Sequence, residues 1–144
     1  MRKPWNEYFM DHAELASTMA TCDRKHVGAI AVKDKRILAT GFNGAPSCLA
    51  HCTEAGHDIV LVNGRESCSR AVHAEINIVT QAAKFGISIK DSVIYVNTYP
   101  CYNCFKTLSA SGISSLYYKD NYQNSQNEQT EILSSVLHIP IIKL

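Results

Sequence analysis

The sequence carries almost no net charge. Fourteen Lys and Arg stand against thirteen Asp and Glu, a formal charge of +1. No strong field therefore gathers polynucleotide or an anionic membrane, although a small anionic ligand needs only a local basic pocket. Long apolar runs are also missing. The opening "MRKPWNEYFMDHAEL" starts basic, but Asn6, Glu7, Asp11 and Glu14 interrupt it, which argues against a signal peptide. No later stretch is long enough to span a bilayer. Internal repeats and long low-complexity tracts are absent. Six cysteines without a secretion signal point to a reducing compartment, where thiolate or metal chemistry is expected before disulfides. The expected location is the cytoplasm, or a host's cytoplasm for a viral chain.

What is present reads as globular, with 46% hydrophobic and 19% charged residues. A chain of 144 residues is most simply one domain, residues 1–144. From Trp5 to about Met19 the apolar residues Trp5, Tyr8, Phe9, Ala16, Met19 and Ala20 recur at helical spacing, with His12 on the same stripe as a packed histidine. "VGAIAVKDKRILATG" predicts a β-hairpin, and "HAEINIVTQAAKF" a buried helix stopped by Gly86. "SVIYVNT" and "ISSLYY" predict strands, separated by a helix in "CFKTLSASG". Ser125 and Glu128 stand at capping-box spacing before a last helix, and "IPII" closes as a strand. The later alternation implies parallel pairing, with helices covering both sheet faces. About 29 residues between the hairpin and the buried helix fit none of these elements; "DIVLV" within them reads as a short turn of helix or a strand, too little to pin the whole loop. Loops longer than about 12–15 residues are uncommon and usually functional, so something must hold this one.

Two short motifs carry the chemistry. "HAE" contains His73 and Glu75; "PCYNC" contains Cys101 and Cys104. One imidazole and two thiolates make a zinc set whose fourth position stays open, the pattern of a catalytic site. Residues two apart do not share a helix face, so His73 and Glu75 converge only at a helix start. Cys101 and Cys104 likewise open a helix after Pro100. Either motif alone is weak. Together they match the zinc deaminase signature H-x-E…P-C-x-x-C, in which a water of lowered pKa attacks cytosine C4 while the Glu, not a ligand, shuttles its proton.

With "WNEYFMDHAELAS", "TCDRKHVGAI", "ATGFNGAPS", "HAEINIV" and "PCYNC" in this order and spacing, the sequence resembles the deoxycytidylate (dCMP) deaminases of the cytidine deaminase superfamily over nearly its whole length. Phe42 stands where that family usually has Tyr, and His12 where an apolar residue is common. The resemblance implies an α/β/α sandwich around a five-stranded mixed sheet, and zinc-dependent conversion of dCMP to dUMP, supplying dUMP for thymidylate synthesis. It implies Arg24 and Tyr122 at the substrate phosphate, Asn43 at the sugar hydroxyl, and Ala74 against the substrate. Lys25, Tyr118, Lys119 and Arg2 are further basic or polar candidates. Members are commonly homo-oligomers, often hexamers. Many are activated by dCTP, with Mg2+ on the triphosphate, and inhibited by dTTP; some viral relatives accept dCTP as substrate.

Four cysteines remain: Cys22, Cys48, Cys52 and Cys68. A structural zinc on Cys22, Cys52, His57 and Cys68 would tie the first helix to both ends of the overlong loop. Relatives that hold a second zinc in this region match at the three cysteines, with His51 an alternative to His57 and Cys48 a spare thiol. Two other functions compete. A tRNA or other nucleic-acid deaminase shares the signature but should present a basic surface. A non-catalytic zinc-binding module leaves Glu75 unexplained.

Overall fold

In the computed structural model, which describes residues 1–144, helix α1 (Trp5–Ser17) leads into strands β1 (Gly28–Lys33) and β2 (Arg36–Phe42). Asp34 and Lys35 between them both have positive φ, 50° and 58°, the two-residue turn whose twist suits a hairpin. There follow α2 (Cys52–Ala55), β3 (Ile59–Val62), β4 (Arg65–Cys68), α3 (Ala74–Phe85), β5 (Val93–Thr98), α4 (Tyr102–Ala110), β6 (Ser115–Asp120), α5 (Asn127–Leu137) and β7 (Ile141–Lys143). Five strands form one mixed sheet in the order β2-β1-β5-β6-β7. β1 pairs antiparallel with β2 and β5, whereas β5, β6 and β7 run parallel. No helix is long and apolar enough to cross a membrane.

Strand alternation sorts the core into two layers. Ala29 and Ala31 of β1 and Ile94 and Val96 of β5 meet Ala74, Ile78 and Ala82 of α3 and Phe105 and Leu108 of α4. Ile30, Val32 and Tyr95 point the other way, onto Phe9, Met10 and Ala13 of α1. The expected α/β/α sandwich with a five-stranded mixed sheet is the observed fold. Two glycines set how closely the layers approach. A Cβ on Gly28 would stand 2.0 Å from the Ala13 carbonyl oxygen, and one on Gly41 2.2 Å from that of Ala74. Gly41 thus lets the start of α3 rest directly on β2.

Three local expectations differ. α1 buries Phe9, Met10, Ala13 and Ser17, whereas Trp5, Tyr8 and Met19 are exposed. Its stripe turns on small residues because Gly28 brings β1 against Ala13 and Ser17. His12 is half-buried, edge-on to Tyr8. Ser125 does not cap α5. That helix starts later, after Gln126, whose N–H donates to Asn124 Oδ1 at 2.9 Å in a preceding turn. The overlong loop holds the short helix α2 and a separate hairpin, β3–β4, paired only with itself.

Candidate active site

The two motifs meet at helix starts. His73 is the N-cap of α3, which puts Glu75 in its first turn. Pro100 precedes Cys101, the N-cap of α4, whose sulfur accepts from the Cys104 N–H at 3.5 Å. His73 Nδ1 lies 3.6 Å from Cys101 Sγ and 3.3 Å from Cys104 Sγ. Tetrahedral zinc with ordinary Zn–S and Zn–N bonds spaces sulfur and nitrogen about 3.6 Å apart, so the three residues fit that ion. The two helix N-termini turn their positive ends to the same point and favour anionic sulfur there.

Protonation is divided accordingly. The side-chain hydrogen bond from the Cys104 thiol holds Cys101 down at about 4, against burial and with help from His73. The same hydrogen bond, with burial, pushes Cys104 well up. The bond to Cys101 raises His73, against burial. Glu75 is 4% exposed, and burial pushes its carboxyl above the usual carboxylate range, opposed by His73. A carboxyl so placed takes up a proton more readily than one in water, as a general base requires.

His73, Glu75 and Cys101 line a cleft of about 270 Å³, just under the usual range of small-molecule sites. Arg24, Lys25, Asn43, Ala74, Glu75 and Tyr122 all line it. Asn43 braces the approach loop. Its Oδ1 accepts from the Val27 N–H at 2.7 Å and its Nδ2 donates to the Lys25 carbonyl at 2.6 Å. One lone pair and one N–H of the amide remain for a ligand. Asn97 of β5 holds the same loop through the Gly28 N–H and the His26 carbonyl, each at 3.0 Å. The Lys25 ammonium sits 3.8 Å from the Tyr122 ring centroid. Other candidates lie elsewhere. Lys119 pairs with Glu14, Tyr118 packs edge-on to Tyr99, and Arg2 covers Trp5.

A second group forms beside the first. The ligand atoms of Cys22, Cys52, His57 and Cys68 all lie within 4.8 Å of one another. Cys22 Sγ is 3.7 Å from His57 Nδ1, and Cys52 Sγ is 3.6 Å from Cys68 Sγ. These again match tetrahedral edges of about 3.6–3.8 Å. Burial and hydrogen bonds to Cys68 and Cys22 push Cys52 up to about 12. In Cys68 burial is outweighed by hydrogen bonds, from His57 first, which bring it down to about 6. His51 is exposed and caps α2 instead, and Cys48 is exposed outside the group. The sequence reading missed Lys25 against Tyr122, the bracing by Asn97, and the β3–β4 hairpin that walls the cleft with Glu66, Ser67 and Cys68. "NG" at Asn63 and Gly64, both at positive φ, was the signal for that hairpin.

A His-x-Glu helix start facing a Cys-x-x-Cys helix start, on this sandwich, is the arrangement of the zinc-dependent deaminases. Residues 3–120 match the family model described as the cytidine and deoxycytidylate deaminase zinc-binding region. The chain belongs to that family. It is 38% identical over 122 residues to ComE operon protein 2 of Bacillus subtilis, covering 85% of this chain and 62% of that protein's length. It is 34% identical over 125 residues to the deoxycytidylate deaminase of Mycobacterium phage D29, covering 81% and 95%. The dCMP deaminase of cyanophage S-TIM5, solved in complex with dCMP and dUMP, superposes with a TM-score of 0.80 at 31% identity, over 100% of this chain and 99% of that one.

Proposed function

We propose that residues 1–144 form one catalytic unit that hydrolyses dCMP to dUMP and ammonia. The observation that carries this is Glu75, buried beside the His73, Cys101 and Cys104 group at the floor of a cleft with Arg24, Lys25 and Tyr122 among its lining. The dCMP and dUMP held by the cyanophage relative support the choice of substrate.

His73, Cys101 and Cys104 hold the catalytic zinc, which when bound supplies a Lewis acid able to bring the pKa of a water towards about 7. Glu75 takes the proton from the attacking water and delivers it to cytosine N3. The new C4 hydroxyl then gives its proton through Glu75 to the exocyclic amino group, whose bond to C4 breaks to leave ammonia and the C4 carbonyl of dUMP. Ala74 lines the substrate cleft, Asn43 offers its spare amide positions to the sugar hydroxyl, and Arg24 and Tyr122 take the phosphate. Cys22, Cys52, His57 and Cys68 hold a second zinc in a closed, structural set.

The product dUMP then feeds thymidylate synthesis in the cytoplasm, or in a host's cytoplasm for a viral chain. Assembly as a hexamer, activation by dCTP with Mg2+, inhibition by dTTP, and use of dCTP as a second substrate complete the proposal. The test is ammonia release from dCMP, deoxycytidine, dCTP and tRNA side by side. Fastest release from dCMP supports it. Release from tRNA alone assigns the site to nucleic-acid editing, and release from none makes the chain a zinc-binding module.

A further inference from the structure

Cys22, Asp23 and Arg24 are consecutive, yet they face three different things. Cys22 belongs to the second ligand group. The Asp23 carboxylate meets His57 Nε2 at 2.9 Å. Arg24 lines the cleft and donates to the Glu66 carbonyl of β4 at 3.4 Å. We propose that Asp23 is a positioning residue: by fixing His57 in the second ligand group, it holds β4 and Arg24 in the arrangement that binds the nucleotide. This rests on the second zinc proposed above.

The chemistry begins at the imidazole. The Asp23 carboxylate takes the Nε2 side of the ring at 2.9 Å, which leaves Nδ1 as the nitrogen that faces Cys22 Sγ. A carboxylate behind a ligating His fixes its tautomer and orientation and raises its basicity; losing it typically costs about 10–100-fold in metal affinity. The carboxylate is 62% exposed, so the ion pair itself contributes little stability. Orientation is what Asp23 supplies.

The effect reaches the cleft because little else holds its wall. Ile59, Val60, Leu61 and Val62 are all exposed, and the hairpin shares no ladder with the main sheet. Its other anchors are polar: Asn63 donates to Gln126 Oε1 at 2.8 Å, and Arg65 to the Gln123 carbonyl. Cys22 and Cys68 belong to the ligand group and also line the cleft, so a shift at the group is a shift of the cleft wall.

The test compares wild-type enzyme with Asp23→Ala and Asp23→Asn. It reads zinc retained against a competing chelator, amide exchange across residues 59–68, calorimetric dUMP affinity, and kcat and KM for dCMP. In Asp23→Ala one of two zincs should leave about 10–100-fold more readily. Exchange across 59–68 should rise and dUMP affinity fall, with KM rising far more than kcat falls. Asp23→Asn keeps an acceptor oxygen and should recover part of each. One zinc per wild-type chain overturns both the second zinc and this proposal. Two zincs in the wild type, with Asp23→Ala either holding both as firmly or losing one without change in exchange and affinity, overturns the proposal alone.

Discussion

Gly41→Ala tests how the catalytic helix is placed without touching a ligand or the acid–base group. The added Cβ would stand 2.2 Å from the Ala74 carbonyl oxygen and 3.0 Å from the Ile78 N–H nitrogen, both backbone, whereas ordinary contact starts near 3.4 Å. Neither atom swings away as a side-chain tip would, so β2 and the first turn of α3 must separate by roughly 1 Å. That turn carries His73 and Glu75. Overpacking of this kind costs about 1–3 kcal/mol, and a misplacement of about 1 Å can cost about 10²-fold in rate. The expected result is a folded protein with a lower melting temperature and a kcat for dCMP down by about two decades. Far-ultraviolet dichroism, thermal melts and ammonia release read these outcomes. Wild-type kcat together with a wild-type melting temperature would refute the claim that contact at Gly41 places α3.

Glu75→Gln keeps shape but not proton transfer, so turnover should fall by about 10²–10⁴-fold while zinc content stays that of the wild type. Near-normal turnover would remove Glu75 from the mechanism. Arg24→Ala should weaken dCMP by about 10–150-fold, the worth of a charged hydrogen bond of roughly 1.5–3 kcal/mol, and deoxycytidine far less. Equal losses in KM for both would deny Arg24 the phosphate. Gly64→Ala forces a Cβ into φ of 77°, a strain of about 1–2 kcal/mol. Faster amide exchange confined to residues 59–68 is the outcome expected.

The main elements and the meeting of His73, Cys101 and Cys104 were legible for a physical reason. "HAE" and "PCYNC" work only at helix starts, so the motif itself fixes local structure, and α3 and α4 begin where it requires. Gly86, in left-handed conformation at φ 66°, ends α3 where its sequence position predicts. What escaped notice was tertiary or buried under a stronger cue. The inward face of α1 is chosen by Gly28 on a different element, so the apolar stripe held at Phe9 but its weight on Trp5, Tyr8 and Met19 was misplaced. The Ser125–Glu128 spacing suggested a cap, but the Asn124 turn sets the start of α5. "DIVLV" stayed open between helix turn and strand, and its pairing with β4 went unread, because its apolar residues face solvent and a strand without a buried face gives no alternation to read. Asn97 could not be found by spacing, since its partners Gly28 and His26 lie about 70 residues away.

The two ligand groups should respond differently to metal removal, because different forces hold their surroundings. His73, Cys101 and Cys104 sit on helices whose buried side chains Ile78, Ala82, Phe105 and Leu108 belong to the main core. That core is built from apolar burial at roughly 25 cal/mol per Å² and does not need the ion. Within α2, β3 and β4, Cys52 is the only buried residue, so the 45–70 segment has almost no core of its own. A site assembled from residues as distant as 22 and 68 exists only in the folded chain, so metal bound there contributes to the stability of the folded segment. Treatment with a strong chelator should therefore leave the far-ultraviolet spectrum of the sandwich largely intact while residues 45–70 become protease-sensitive. Restoring zinc should reverse both that sensitivity and the loss of activity. Global unfolding on chelation would show that the core depends on metal, and an unchanged digestion pattern would show that the hairpin stands without it.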